Sequence, residues 1–245
     1  MCDLSICQAA LNRDPVLYLD LTETIRRKEG HLIAALPHGA LAAFHSYEKD
    51  GQDLGFTMFA DDLPTAKRLL AMLPSQPDFL TVHEDFYLDE LKKRFGFGGL
   101  NPCWQAGYLR TTPPPAPSAG AQVHRLDLSH LPIVEANYNA GSSDDGYLSQ
   151  LISWGELYGA FEGDTLMGFI GRHAEGSIGL LQVLPQYRRR GLAKLLQSHM
   201  IALELSRGHV PYGQIFDGNE ASLALQQSLG MSQSIGRLYW AVKGA

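Results

Sequence analysis

A strand-to-helix junction at residues 180 to 196, LLQVLPQYRRRGLAKLL, constrains the fold of this chain most strongly. The apolar run that ends at Val183 predicts a buried strand, and Pro185 ends that strand. Beyond the loop, apolar residues recur at helical spacing over about residues 190 to 206, which predicts a long helix. Its apolar face is expected to contain Leu192, Leu195, Leu196, Met200 and Leu203.

The loop places three arginines and a glycine at the mouth of this helix. A helix N-terminus presents backbone N–H groups and the positive end of the helix dipole, which together bind phosphates. Gly191 admits a ligand because it has no Cβ, and Ala193 keeps the next outward position small. Arg188, Arg189 and Arg190 add charge and hydrogen-bond donors. The segment predicts a polyphosphate site, and the alternative is a solvated basic helix start.

Other common sites are not supported. Neither GxxxxGK[ST] nor GxGxxG occurs, which argues against a Walker loop and a Rossmann dinucleotide site. The nine histidines form no HxxxH or HExxH pattern, so no metal site is expected, and the absence of GxSxG argues against an α/β-hydrolase nucleophile. The three cysteines include no CxxC, which favours a reducing compartment.

A proline-rich segment, TTPPPAPSAGAQ, divides the chain at residues 111 to 122. Its four prolines suit an extended linker rather than a helix or an inner strand. Before this segment we expect strands near 31 to 36, 40 to 47 and 54 to 60, and a helix at 62 to 73. A hairpin turn at Glu162-Gly163-Asp164 and a final strand near RLYWAV are expected after it. Both halves therefore indicate α/β layers.

The helix mouth resembles a known family. Arg188-x-x-Gly191-x-Ala193 is similar to the [QR]-x-x-G-x-[GA] motif of the GNAT superfamily of acyltransferases, and Val183-Leu184-Pro185 precedes it as in that family. Leu229-Gly230-Met231 resembles the family's L-G-F ending, and the resemblance covers about residues 122 to 243. The whole chain also resembles the glycine N-acyltransferase-like branch.

The resemblance implies an α/β fold of two GNAT-like lobes, each a mixed, mostly antiparallel sheet flanked by helices. Residues 1–110 would form a lobe without the CoA motif, 111–122 the linker, and 123–245 the acyl-CoA-binding catalytic domain. The co-substrate would be acetyl-CoA or another acyl-CoA, without a metal. Strand Tyr212–Phe216 would diverge from Leu180–Val183 to open an acyl slot. The expected CoA-binding residues are Leu181, Gln182, Val183, Arg188, Arg189, Arg190, Gly191, Leu192, Ala193, Asn219 and Ser222.

The family's reaction is direct attack of a neutral amine on the thioester, with a base taking a proton from the amine. The resemblance implies that a backbone N–H of Gln182 or Val183 stabilises the oxyanion. Many members place a tyrosine acid seven residues after the Asn, and that position is Gln226 here. Tyr212 is the expected substitute for this acid, and the alternative is a packed aromatic residue or a thiolate that leaves unprotonated.

The glycine-type branch carries a basic Glu at the start of the central strand, where this chain has Ser177. Glu175 is the expected substitute, with His173 as another candidate. Their positions at a turn and a strand end are more typical of a solvated carboxylate and a surface imidazole. Asp144-Asp145 could hold a cationic amine, and the alternative there is a solvated helix start.

The first half contains a short segment that aligns with the helix mouth. Setting FTMFADDLPTAKRLL against LLQVLPQYRRRGLAKLL places Asp61 and Asp62 opposite Arg188 and Arg189. Pro64 then falls opposite Gly191. If the halves are repeats, the first one has inverted the charge and would repel an anion.

These observations predict an N-acyltransferase that moves an acyl group to a primary amine of a small molecule, such as an amino acid. The alternatives are a non-catalytic acyl-CoA-binding regulatory protein and an acetyltransferase of protein N-termini or lysines. A formal net charge of -6 argues against nucleic-acid binding, and no apolar stretch is long enough to span a membrane. The start MCDLSICQAALNRDP does not resemble a signal peptide. A cytoplasmic monomer or homodimer is therefore expected.

Overall fold

The computed structural model describes residues 3–45, 53–77, 79–97, 99–138 and 146–242. Its helices are α1 Gln8–Leu11, α2 Leu19–Arg27, α3 Leu63–Leu70, α4 Leu88–Phe95, α5 Leu131–Asn137, α6 Tyr147–Ser153, α7 Leu192–Ser206 and α8 Glu220–Ser228. Its strands are β1 Gly30–Leu36, β2 Gly39–His45, β3 Asp53–Ala60, β4 Phe79–His83, β5 Gly99–Gly107, β6 Gln122–Arg125, β7 Leu157–Glu162, β8 Thr165–Arg172, β9 Ile178–Val183, β10 Tyr212–Phe216, β11 Ser232–Gln233 and β12 Leu238–Val242.

These elements divide into two compact units. The first comprises Met1–Gly107, Gln214–Glu220 and Ser232–Ala245, and the second comprises Tyr108–Gly213 and Ala221–Met231. The domain limits expected from the sequence, with a boundary at residues 111–122, stay a prediction. The two compact units differ from these expected limits in one respect. Two segments that follow the linker, Gln214–Glu220 and Ser232–Ala245, belong to the first unit.

The first unit is built on a mixed sheet with the order β1-β2-β3-β4-β12-β5-β10, and β11 pairs with β5. Strand β12 lies antiparallel between β4 and β5, so the end of the chain completes the middle of this sheet. Strands β3 and β4 are parallel, and α3 connects them. Asp62 is the N-cap of helix α3, and its side chain accepts a hydrogen bond from Thr65 N over 2.7 Å.

A buried polar cluster lies within this unit. The carboxylate of Asp20 accepts hydrogen bonds from the hydroxyls of Thr57 and Thr81 at 2.7 and 3.0 Å. His83 bonds Asp20 through Nε2 and the carbonyl oxygen of Met58 through Nδ1, both at 2.9 Å. Because both partners of His83 are acceptors, both ring nitrogens donate and the imidazole is charged. The cluster is a buried ion pair whose groups are hydrogen-bonded.

The second unit contains an antiparallel sheet with the order β6-β7-β8-β9. Strands β7 and β8 form the expected hairpin, and Gly163 in its turn has φ of 60°. Leu148, Leu151, Leu157, Phe169 and Leu180 belong to the apolar core of this unit. Helix α7 packs against β7, β8 and β9, and Leu192, Leu196 and Met200 are buried. The leucine spacing therefore identified this helix correctly.

The α/β class, with two sheets flanked by helices, is confirmed; the first sheet is mixed and the second is antiparallel. Helix α3 is shorter than the predicted range of 62 to 73, and α7 starts at Leu192 rather than near residue 190. Helices α1 and α2 were not predicted, and Cys7, Leu17 and Leu21 near them are buried in the apolar core. Across the residues with described coordinates, none of the helices has the length and apolar character needed to span a bilayer.

Candidate functional site

The central feature of the site is an irregularity in β9. The pairs Phe169–Gln182 and Gly171–Gly179 flank a point where two residues of β9, Leu180 and Leu181, lie opposite a single residue of β8. This is a β-bulge, and Leu180 has φ of 54° there. A left-handed backbone is unfavourable for leucine, so the surrounding structure must hold it. The bulge interrupts the regular ladder in the strand that leads to the arginine loop.

The loop after β9 forms a short 3₁₀ turn, Pro185–Tyr187, and then two left-handed residues. Arg189 has φ of 65°, and Gly191 has φ of 80° at the N-cap of α7. The first hydrogen bond of the helix runs from Leu195 N to the carbonyl oxygen of Gly191 over 3.0 Å. Helix geometry therefore leaves the N–H groups of the first turn for another acceptor. A Cβ on Gly191 would meet only Ala119, at 4.0 Å, so the space beside this glycine is open.

The three arginines have different surroundings. Arg188 Nε donates to the carbonyl oxygen of Val183 over 3.3 Å, which folds the side chain back on the end of β9. Arg190 donates to Glu162 over 3.1 Å, and its guanidinium lies 5.9 Å from the ring centre of Tyr187. All three residues are exposed. The mouth of α7 is therefore positive, with its charge partly compensated by one carboxylate.

An open cavity of about 420 Å³ lies beside this loop, within the second unit. It is bounded by the end of the linker and by the turn between β7 and β8. Ala119 in the linker approaches Gly191, and Glu162 in the wall of the cavity bonds Arg190. The cavity therefore lies next to the start of α7, because Ala119 and Glu162 line the cavity and also contact the loop before the helix. Its lining residues are Pro117, Ser118, Ala119, Gly120, Ala121, Gln122, Phe161, Glu162 and Gly163.

Strands β9 and β10 are edge strands of different sheets. Strand β9 is an edge of the four-stranded sheet and β10 is an edge of the mixed sheet. At the start of the two strands the backbones are close, since a Cβ on Gly213 would lie 2.7 Å from the carbonyl oxygen of Ile178. In contrast, β3 and β4 are paired in parallel from Phe56–Leu80 to Phe59–His83. The two strands that flank α3, β3 and β4, are therefore hydrogen-bonded neighbours in one sheet. The two strands that flank α7, β9 and β10, belong to different sheets.

The turn that leads into β9 contains Glu175, and its carboxylate is not solvated. Glu175 is 7% exposed, so the expectation of a solvated turn residue is wrong. Its Oε1 accepts a hydrogen bond from Ser177 Oγ, and its carbonyl oxygen accepts one from the hydroxyl of Tyr212. Tyr212 is fully buried. The predicted base and the predicted acid are thus joined, through the main chain of Glu175 rather than through its carboxylate.

His173 lies at the other end of the same turn. Its Nδ1 is 2.9 Å from Tyr147 Oη, and the two rings are stacked with 6.1 Å between their centres and 14° between their planes. Ala174 N donates to the same phenol oxygen over 3.3 Å. Burial lowers the pKa of His173, and the charge of Glu175 offsets part of that shift. His173 and Tyr147 are both half-buried, so the expectation of a surface imidazole is only partly correct.

The remaining predicted residues lie near the end of β10. Asn219 N donates to the carbonyl oxygen of Phe216 over 3.0 Å, one residue before α8. Ser222 Oγ accepts a hydrogen bond from Gln226 Nε2 over 3.4 Å. Gln226, which stands where the family has tyrosine, is buried, and its Nε2 lies 3.7 Å from the position of a Cβ on Gly213. Gln226 is thus a neighbour of β10 but carries an amide in place of a phenol.

Two site features were missed in the sequence. The bulge at Leu180 has no residue signal, since leucine does not indicate a left-handed backbone. Tyr147 stands at the start of α6, and nothing in its neighbourhood indicates a partner 26 residues away. The predicted acceptor carboxylates Asp144 and Asp145 lie outside the described residues. Within the described ranges, no group of three or more His, Cys, Asp and Glu residues is arranged to hold a metal ion.

Known proteins resemble this chain in sequence. Residues 157–241 match the family described as FR47-like protein. The N-alpha-acetyltransferase RimI of Mycobacterium tuberculosis (strain ATCC 25618 / H37Rv) is 33% identical over 95 residues. That alignment spans 36% of this chain and 59% of the length of the relative.

Solved structures share the fold over nearly the whole chain. A Drosophila protein has a TM-score of 0.67 at 17% identity, covering 98% of this chain and 94% of its own. A protein of Novosphingobium aromaticivorans assigned to the GNAT family has a TM-score of 0.54 at 18% identity, covering 94% and 97%. At such identities the likeness concerns the fold alone.

The arginine–glycine loop and these matches point to the same class of protein. Residues 157–241 are similar to the FR47-like family, the matched relative is named as an N-alpha-acetyltransferase, and a solved structure with the same fold is assigned to the GNAT family. The resemblance expected from Arg188, Gly191 and Ala193 is therefore confirmed at the level of the superfamily.

Proposed function

We propose that this protein transfers an acyl group from acetyl-CoA, or a related acyl-CoA, to the primary amine of a small molecule such as an amino acid. The observation that carries the proposal is the left-handed Gly191 at the start of α7. There, a phosphate oxygen can approach the N–H groups of the first helical turn without meeting a side chain. Arg188, Arg189 and Arg190 supply positive charge around this point.

The thioester would lie along β9. With the pyrophosphate at Gly191, the pantetheine arm would run beside Leu181, Gln182 and Val183 towards the bulge. The N–H of Gln182 remains the predicted donor to the oxyanion. The bulge supports this part of β9 as the position of that donor, because it takes Leu180 and Leu181 out of the regular ladder.

The acceptor amine would enter at the start of β9. Glu175, Ser177 and Tyr212 are held together there by hydrogen bonds, and His173 lies at the other end of the same turn. The amine nitrogen attacks the thioester carbonyl carbon, and the C–S bond breaks to leave an amide and the CoA thiolate. The proton lost by the amine is finally taken up by the thiolate, which gives the CoA thiol. Tyr212 stays the predicted acid, although its hydroxyl already donates to Glu175.

A second acceptor class is favoured by one observation. The similarity to a protein named as an N-alpha-acetyltransferase supports a peptide N-terminus as the amine. CoA release from acetyl-CoA, followed with a thiol reagent, distinguishes the two acceptors. The panel consists of the twenty free amino acids, short peptides with free N-termini, and the same peptides with blocked N-termini and one lysine. Amine-dependent release supports an acyltransferase, and binding of acetyl-CoA without release by any acceptor would leave a regulatory acyl-CoA-binding protein.

A further inference from the structure

We propose that the cavity between the linker and the β7–β8 turn binds the adenine base of acyl-CoA. This inference rests on the proposed function, because it assumes that the CoA pyrophosphate binds at Gly191. It deepens that proposal, since the protein would then recognise the nucleotide of acyl-CoA as well as its pantetheine arm. The cavity, the aromatic ring in its wall and the register of the neighbouring strands carry the inference.

The strand register places the cavity on the side where the nucleotide must lie. From Gly191, the pantetheine arm would run along β9 towards the bulge at Leu180. Val183 at the end of β9 pairs with Gly168 of β8, and β8 extends three residues further, to Thr165 beside the turn. The turn therefore lies about 10 Å beyond the end of β9, in the direction opposite to the bulge. Since the arm and the nucleoside leave the pyrophosphate on opposite sides, the nucleoside would point towards the cavity.

Two contacts connect the cavity to the proposed phosphate site. Ala119 lines the cavity, and a Cβ on Gly191 would lie 4.0 Å from it. Glu162 also lines the cavity and accepts a hydrogen bond from Arg190 over 3.1 Å. A pyrophosphate at the first turn of α7 would therefore lie at the rim of the cavity.

The size and charge of the cavity fit an uncharged ring. Its volume of about 420 Å³ falls within the range of small-molecule sites, about 300 to 1,000 Å³. Of the described residues that line it, Glu162 alone is charged. A phosphate inside the cavity would be repelled by this carboxylate, whereas a neutral base would not.

The walls of the cavity offer the two kinds of interaction that a base can make. Phe161 is half-buried, lines the cavity, and has the ring of His130 at 5.4 Å between centres. A planar base can stack on such an aromatic ring. The main-chain N–H and C=O groups of residues 118–120 form no hydrogen bond with another described residue, so they are available to the ring nitrogens and the amino group of adenine.

Calorimetric titration with three ligands tests the inference. Acetyl-CoA carries both ends, acetyl-phosphopantetheine lacks the adenosine, and the adenosine bisphosphate part of CoA lacks the arm. Phe161→Leu removes the flat ring but keeps an apolar side chain. It should raise the Kd of acetyl-CoA and of the adenosine bisphosphate by about 5- to 20-fold, because the base loses its stacking partner. The Kd of acetyl-phosphopantetheine should stay unchanged.

Phe161→Tyr is the matched control, because it keeps the ring. It should bind all three ligands as the wild type does. A Kd that rises equally for all three ligands in Phe161→Leu would overturn the inference. So would a wild type that binds acetyl-phosphopantetheine as tightly as acetyl-CoA.

A pair of proline variants tests the part of the linker. Pro117 lines the cavity, and its ring restricts the linker before the ligand binds. Pro117→Gly should raise the Kd of acetyl-CoA by about two- to five-fold, because binding must then order a freer chain. Pro113→Gly changes an exposed proline of the same linker that does not line the cavity, and should have no effect. Equal effects, or none in Pro117→Gly, would overturn the role of the linker.

Saturation-transfer NMR of the wild type with CoA decides the matter if Phe161→Leu does not fold. The adenine protons should receive saturation comparable to that of the methyl protons of the pantetheine arm, because both would be enclosed by protein. Adenine protons that receive little saturation would overturn the inference.

Failure of the proposed function would look different from failure of this inference. If acetyl-CoA does not bind to the folded wild type, the acyl-CoA site itself fails and the inference falls with it. If acetyl-CoA binds, Gly191→Glu abolishes that binding, and Phe161→Leu leaves every Kd unchanged, then the inference alone fails.

Discussion

The guanidinium of Arg190 donates a hydrogen bond to the carboxylate of Glu162 over 3.1 Å. Glu162 ends β7, and Arg190 stands in the loop before α7. Both side chains are partly exposed, so the pair contributes little to folding. The pair matters for the proposed CoA site, because the carboxylate of Glu162 would compete with a phosphate bound at the start of α7 for the same arginine.

Replacing Glu162 by Gln should strengthen the binding of acetyl-CoA. Without the carboxylate, Arg190 is available to the phosphates, and we expect a Kd lowered by about two- to five-fold at low salt. The gain should shrink as salt is raised, since exposed charges are screened. Calorimetric titration at two salt concentrations measures both effects.

Asp164→Asn is the matched control, because it removes the same charge from the same hairpin turn. Equal effects of Glu162→Gln and Asp164→Asn would mean that only the total charge matters and that the Arg190–Glu162 pair has no role in binding.

The pair Asp20–His83 predicts a pH-dependent stability of the first unit. Burial opposes both charges, but the partner's charge and hydrogen bonds outweigh it, so the pKa of Asp20 is lowered and that of His83 is raised. The contribution of His83 is present below its unfolded pKa, about 6.5, and is lost as pH rises through the higher folded value. The contribution of Asp20 is lost as pH falls below about 3.9 through the lower folded value.

Urea unfolding across pH measures this dependence. Asp20→Asn should lower the free energy of unfolding by about 3 to 5 kcal/mol near neutral pH, because it leaves a buried imidazolium without its counter-charge. It should also reduce the loss of stability on the alkaline side. His38→Gln, which replaces an exposed histidine, is the control and should leave the pH dependence of the free energy of unfolding unchanged. A wild-type curve that is flat above pH 6.5 would contradict the buried ion pair.

The central position of β12 in the first sheet predicts that substitutions of its buried residues lower the stability of the protein. Leu238 is fully buried where β12 lies between β4 and β5, whereas Ile235, three residues earlier, is 81% exposed. Leu238→Ala should lower the free energy of unfolding by about 2 to 5 kcal/mol, and Ile235→Ala by less than about 0.5 kcal/mol. Equal losses in the two variants, measured by urea unfolding, would be inconsistent with β12 as a central strand.

The sequence was sufficient where the signal is local. Leucine spacing identified α7, and Gly163 marked the hairpin turn. Gly191 was predicted as a position of close approach at the start of the helix, and the structure leaves the space beside it open. Each of these depends on residues within a few positions of one another. The superfamily followed from the same local motif.

Features that depend on distant partners were not accessible. The burial of Glu175 depends on Tyr212, 37 residues later, and the pairing of β12 depends on strands more than 130 residues earlier. The bulge at Leu180 is imposed on a residue whose own preference opposes it. Where tertiary contacts outweigh local preference, a pattern in a single sequence carries no signal.

The most direct test of the acyl-CoA site is thermal unfolding with and without saturating acetyl-CoA in the wild type, Gly191→Glu and Gly208→Glu. Gly191 and Gly208 flank α7 at opposite ends, both have positive φ, and a Cβ at either position meets no atom closer than 4.0 Å. The two substitutions therefore introduce the same charge and a similar backbone strain, about 1 to 2 kcal/mol. Only the first lies at the helix mouth.

At one hundred times its Kd, acetyl-CoA should add about 2.7 kcal/mol to the free energy of unfolding of the wild type. We expect the same gain in Gly208→Glu and no gain in Gly191→Glu. An equal gain in all three proteins, or no gain in a folded wild type, would contradict an acyl-CoA site at the start of α7.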